Sequence, residues 1–245
     1  MSGYEERLYR ARCHSRGLVS FTVRVKETDL WIAADSDLKN KAMESIQRHR
    51  RGLENYIVSN PGFLEALTPW PEDDLAPPLV RSMIAAGRAA GAGPMAAVAG
   101  AIAHFVGRDL LSLSSRVVVE NGGDVFLAAD RGMVVAVDAG KSPLTGRLGV
   151  ELAAEDMPLC LCTSSGTVGH SFSQGRADAA MVASKDGALA DATATMLGNR
   201  VQGKGDLAAA LQWAATVPGV LGALLVLDDK LAAWGQLTLL DLKED

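Results

Sequence analysis

The chain has 245 residues, 48% of them hydrophobic, enough for a sizeable buried core. Its three cysteines, Cys13, Cys160 and Cys162, do not make a secreted disulfide framework and point to a reduced, cytoplasmic setting. A net charge of −5, from 24 basic and 29 acidic residues, supplies no global field to draw in nucleic acid or an anionic membrane.

In chain order, "MSGYEERLYRARCHS" is charged from its fifth residue and lacks the apolar core of a signal peptide, so no export is expected. "LVSFTVRVK" alternates apolar and polar residues with the period of a strand that has one wet face, and "DLWIAAD" reads as its hairpin partner. From residue 36 to about 60, Leu38, Ala42, Ile46, Leu53 and Ile57 recur at multiples of about four, the stripe of a long helix that Asp35 or Ser36 is placed to cap. The basic run "RHRR" lies on this helix and reads as a solvated face rather than an RNA site, since no aromatic platform accompanies it. "PWPEDDLAPP" holds four of the nine prolines and reads as a rigid connection.

Two helices are expected at about 79–90 and 94–106, with Pro94 in the first turn of the second and Gly107 as its stop. The weakly polar stretch "AAGAGPMAAVAGAIA" is too short to span a bilayer and reads as a buried helix with close neighbours. "RVVVE", "DVFLAA" and "MVVAVDA" read as strands separated by "NGG" and "DRG" turns. Further strands near 148–153, 158–162 and 177–183 precede helices at about 187–197 and 205–216. A closing meander covers "GALLVLDD", "KLAAWG" and "QLTLLDL". The pattern predicts one α+β domain over 1–245, two fused layers of antiparallel strands with helices, in which halves of about 1–140 and 141–245 repeat a strand-helix-strand plan.

Four constellations carry chemistry. Asn121, Gly122, Gly123 and Asp124 form either a hairpin turn or a place where a ligand presses on the backbone. On "GALADATATMLGN", Asp191 and Thr195 share a helical face, so one carboxylate and one hydroxyl would suit a hard cation such as Mg2+; the alternative is a solvent-facing Asp191 and a Thr195 bonded back to its own helix. In "CTSSGTVGHSFSQG", Thr163, Ser164, Ser165, Gly166 and Thr167 offer donors to an anionic ligand, and His170 offers a general base. At Gly93 and Pro94 a glycine-rich turn feeds a helix N-terminus, which suits either an anion or close helix packing. Cys160 and Cys162, expected on alternate faces of a strand, read as core or pocket-wall residues rather than a metal pair. His14, His49 and His104 have no partner pattern and read as incidental.

Through "VENGGD", "CTSSGTVGHSFSQGRADAAMV", "ALADATATMLGN" and "GPMAAVAGAIA" together, nearly the whole chain resembles an uncharacterised prokaryotic family allied to the ApbE superfamily, the FAD:protein FMN transferases. The resemblance implies an ApbE-like fold with a ligand cleft between its layers. It further implies a magnesium ion on Asp191 and Thr195, completed by a backbone carbonyl from residues 98 to 100; in an enzymatic version Asp191 and His170 would be the catalytic residues. Two places depart from the transferases: Ala99 stands where they carry a lysine, and their longer His-containing segment is shortened to "VGHSFSQG".

The expectation is thus a cytoplasmic ApbE-like protein that binds a small anionic, nucleotide-type ligand, FAD or another flavin, with Mg2+. In an enzymatic version it is a transferase or a pyrophosphate-cleaving enzyme. The alternatives are a binding or carrier protein that keeps the cleft without the chemistry, and a hydrolase built on Ser164 or Ser165 with His170. No nucleic-acid or membrane partner is expected, and the apolar terminal meander suits a homodimer.

Overall fold

The computed structural model describes residues 17–165 and 175–242. In it β1 (Val19–Val25) and β2 (Thr28–Ala34) form the expected hairpin. Then follow the long helix α1 (Lys39–Ser59), a short helix α2 (Gly62–Glu65) and α3 (Pro78–Ala90). A 3-10 turn at Pro94–Ala97 runs directly into α4 (Val98–Leu110). The chain returns through β3 (Val117–Asn121) and β4 (Asp124–Ala128), then makes β5 (Met133–Ala136) and β6 (Leu148–Leu152). The second half contains β7 (Leu159–Ser164), β8 (Ala179–Ser184), α5 (Gly187–Asn199), α6 (Leu207–Thr216), β9 (Val220–Leu227), β10 (Lys230–Gly235) and β11 (Thr238–Asp241).

The repeated plan is visible in the pairing. Two strands, a helical run and two strands make β1-β2-β3-β4, and the same sequence of elements makes β7-β8-β9-β10. The halves join where β4 pairs with β7, giving one antiparallel eight-stranded sheet. All α-helices of the described chain lie in the connections inside these halves, so they collect on one face.

Strand alternation then makes two cores. Leu30, Ile32, Val117, Val119, Phe126, Cys160, Cys162, Val182 and Leu225 face the helices. Their neighbours Ala33, Val118, Leu127, Leu161, Met181 and Leu224 face the opposite way, against the three-stranded sheet β11-β6-β5. Cys160 and Cys162 therefore share a face rather than alternating, as a strand period of two requires for residues i and i+2.

Several local expectations change for tertiary reasons. β5 does not reverse onto β4, and β11 does not extend the meander beyond β10; both pair with β6, covering an apolar sheet face that would otherwise meet water. Helix α1 starts at Lys39, whose amide is accepted by Asp37 Oδ1 at 2.9 Å. Asp35 is instead taken by Ser114, Ser115 and Arg116, at the end where β2 pairs with β3. Gly107 does not stop α4. It lies inside the helix, where the missing Cβ leaves room for the ring of Phe126.

The "RHRR" run is anchored at three points. Arg48 Nη2 and His49 Nε2 both reach Asp109 Oδ2 on α4, at 2.5 and 2.8 Å, and Arg50 bonds Thr28, Glu27 and Glu54. His49 is thus a structural partner and not an incidental residue. No single helix among the described residues is long and apolar enough to cross a membrane.

Candidate functional site

The chemistry gathers where α4 and α5 cross above the β3–β4 and β7 strand ends. Gly122 (φ 67°) and Gly123 (φ 109°) occupy the two central positions of the β3–β4 turn, in the left-handed region a two-residue hairpin demands. The turn is also fastened from both sides. Glu120 Oε1 accepts from the Gly123 amide at 3.0 Å, and Asn121 Nδ2 donates to the Ala99 carbonyl at 3.0 Å, tying the turn to the first turn of α4.

Asp124 follows the turn on the helix-facing side of β4 and is 5% exposed. Its Oδ1 accepts from the Thr163 amide at 3.2 Å, and its side chain meets that of Asp191. Burial, then the Asp191 charge, pushes the Asp124 carboxyl well above the ordinary carboxylate range. Asp191 projects from the second turn of α5, and its Oδ2 accepts from the Gly100 amide at 2.9 Å. Burial pushes Asp191 up to about 7, against the pull of the Gly100 and Ala99 amides, which are free donors at the start of α4.

That approach depends on glycines. A Cβ on Gly100 would overlap the Gly187 carbonyl oxygen, and one on Gly187 would overlap the Gly100 carbonyl oxygen, so the two helices cross backbone to backbone. Cys162 lies beneath the crossing with its Sγ 3.5 Å from the Gly187 carbonyl oxygen, and burial pushes its thiol far up. Burial likewise raises Cys160, so neither cysteine supplies a thiolate. No group of three or more His, Cys, Asp or Glu side chains stands at metal-binding spacing among the described residues.

Thr195 lies one helical turn beyond Asp191 and is partly buried. Thr163 and Ser164 end β7, with Ser165 directly after them. Ser164 is 9% exposed, and its Oγ has no hydrogen-bond partner among the described residues. Gly166, Thr167 and His170 lie outside the described residues. Asn121, Gly122, Gly123, Asp124, Thr163, Ser164 and Asp191 thus come from three separate stretches of sequence to one place.

Gly93 and Pro94 take the packing alternative. The Gly93 amide donates to the Leu67 carbonyl at 3.0 Å, and a Cβ there would overlap the Ala66 carbonyl oxygen, so the turn has no free donor at Gly93 to offer an anion.

His104 is the residue the sequence reading missed. Its Nδ1 accepts from the Gly187 amide at 3.1 Å, and its ring stacks on Phe126 at 5.7 Å with a 15° tilt. Asp186 caps α5, accepting from the Ala188 amide at 2.8 Å. Burial raises the Asp186 carboxyl, but His104 and the α5 amides outweigh it and leave the group below its ordinary range. The Asp before "GALAD" is a cap signal legible in sequence; nothing local marks His104.

A family model described as "AbpE bacteria" matches residues 10–231. The UPF0280 protein of Methanocella arvoryzae is 41% identical over 215 residues, 87% of each chain, and that of Methanocaldococcus jannaschii is 39% identical over 219 residues, 87% of this chain and 89% of its own. Among solved structures, the apo flavinyl transferase ApbE of Pseudomonas stutzeri superposes with a TM-score of 0.52 at 14% identity, covering 89% of this chain and 94% of that one. The ApbE protein of Thermotoga maritima gives 0.54 at 12% identity, covering 88% and 96%. These structures share the fold, and the sequence matches fix the membership: the chain belongs to the AbpE bacteria family.

Proposed function

We propose that the protein binds an anionic nucleotide-type ligand, FAD or another flavin, together with magnesium at Asp191 and Thr195, and transfers or hydrolyses that ligand. The fold shared with proteins named flavin transferases supports the ligand class. One observation carries the cation: the Asp191 carboxylate is set among buried groups, held by the Gly100 amide and facing a second carboxyl. Two facing acids, Asp124 buried and Asp191 half-buried, are a costly arrangement unless a proton or a cation lies between them. The oxygen-rich donor set therefore fits a hard dication.

When bound, magnesium supplies charge neutralisation for a pyrophosphate group. The chain's own residues do the rest. Gly100 and Ala99 orient Asp191, Asn121 holds the glycine turn on α4, and the glycines leave room for a ligand to approach the backbone. Thr163, Ser164 and Ser165 edge the same region and offer hydroxyl donors to the ligand.

The test is a thermal melt with FAD, with and without magnesium. A ligand binding at a hundred times its dissociation constant stabilises by about 2.7 kcal/mol, a shift of several degrees. Asp191→Ala should remove the metal-dependent part. A flat response to FAD, FMN and riboflavin with magnesium present overturns the reading.

A second reading, binding without turnover, is favoured by Ala99, which places a methyl group and no cation at the start of α4. Recovery of unchanged FAD after long incubation with magnesium and protein separates the two.

A further inference from the structure

The cation reading uses Asp191 and Thr195 and leaves Asp124 without a role beyond lining the ligand. Its position asks for more. Continuing the β4–β7 register from Val125 opposite Leu161 puts Asp124 opposite Cys162, on the helix-facing side. Above Cys162 lies Gly187, the first residue of α5. Helix α5 runs from there toward Gly175, over which Gly198 packs, so it travels along β7 in the direction of Ser164. One turn along α5 from Gly187 is Asp191; one step along the same face of β7 from Cys162 is Ser164. Asp191, Asp124 and Ser164 therefore converge at the rim of the sheet, beside Gly122, where an added Cβ would meet open space.

Each acid is anchored by a backbone amide. Asp191 receives the Gly100 amide on Oδ2, and Asp124 receives the Thr163 amide on Oδ1. The two carboxyls also meet each other, which places them to share one ion. Ser164 is an independent pointer to a ligand, since its hydroxyl is buried, lies on this face and has no hydrogen-bond partner among the described residues.

We propose that Asp124 is a second carboxylate ligand of the divalent cation held by Asp191, with the Ser164 hydroxyl as a neutral oxygen beside it. The inference rests on the cation reading of Asp191 and adds a ligand to it. Two carboxylates balance the two charges of the ion, which a buried site favours, and leave its other positions to carbonyl, water or a ligand's phosphate. The backbone amides on Oδ2 and Oδ1 fix the carboxylate rotamers in the way outer partners orient metal ligands. The proposed donors are all oxygen, a set that selects magnesium or manganese over zinc.

Manganese is the probe, titrated into the metal-stripped full chain without flavin and followed by loss of the free-ion signal in electron paramagnetic resonance. Wild type is expected to take up one ion that magnesium displaces. Asp124→Asn, which keeps the shape and the Thr163 bond, should weaken uptake at least about tenfold, and Ser164→Ala by less. Asp124→Cys should convert the preference to cadmium, with a thiolate charge-transfer absorption absent from wild type; a structural role would not move this readout, and it carries the test if Asp124→Asn does not fold. Wild-type affinity in Asp124→Asn together with loss in Asp191→Asn overturns the inference and leaves the Asp191 reading standing. No uptake by wild type removes both.

Discussion

Gly100 on α4 and Gly187 on α5 meet backbone to backbone, each occupying the space a Cβ on the other would need. This contact lets the Gly100 amide reach Asp191 and brings the starts of both helices over Cys162. Gly100→Ala and Gly187→Ala should each lower stability by about 1–3 kcal/mol, the usual cost of overpacking, measured by urea unfolding. Both should also reduce the magnesium-dependent thermal shift, because separating the helices moves Asp191.

Gly107 and Phe126 form a second such contact, away from the carboxyls. Gly107→Ala should destabilise by about 1–3 kcal/mol while leaving manganese affinity unchanged in the folded protein. Pairing it with Phe126→Leu should recover part of the loss, since the smaller side chain gives way. A double-mutant cycle that comes out additive would show that the ring and the added methyl do not meet.

Asn121 is predicted to act through the Ala99 carbonyl. Asn121→Asp replaces the donor at 3.0 Å by a carboxylate facing an oxygen, and should cost about 1–3 kcal/mol. Asn121→Gln tests whether reach matters as well as chemistry: if it restores stability, the turn tolerates a longer tether. Chemical denaturation of the two variants side by side gives the answer.

Acid sensitivity should come from Asp35. The Ser115 hydroxyl, the Arg116 side chain and amide and the Ser114 hydroxyl outweigh burial and hold its carboxyl well below the ordinary range. A depressed carboxyl contributes stability that is present above the unfolded pKa of about 3.9 and is lost as pH falls from there through the folded value. Asp35→Asn should lower stability at pH 7 by about 1–2 kcal/mol and flatten its fall below pH 4. Unfolding free energies measured from pH 7 to 2.5 check both parts.

Periodicity made most of the architecture legible. The β1–β2 hairpin, α1, α3, α5 and α6 follow from apolar spacing, and the two strand-helix-strand halves can be counted along the chain. The Asp191–Thr195 spacing and the "NGGD" turn also stand out, because helical and hairpin geometry are local. Nothing local, however, brings residue 100 to residue 191, or residue 124 to residue 163.

The sequence by itself determined which segments are helix and strand, which side of each is apolar, and which short stretches hold convergent oxygens. Only the tertiary structure decided that β5, β6 and β11 leave the main sheet to cover its second face, that Gly93 and Gly107 serve packing, and that Asp124 stands against Asp191. Side-chain period and turn chemistry act over a few residues. What covers an apolar face, what a glycine makes room for, and which charge a buried acid meets are set by groups far away in the chain, brought close only when the whole core closes.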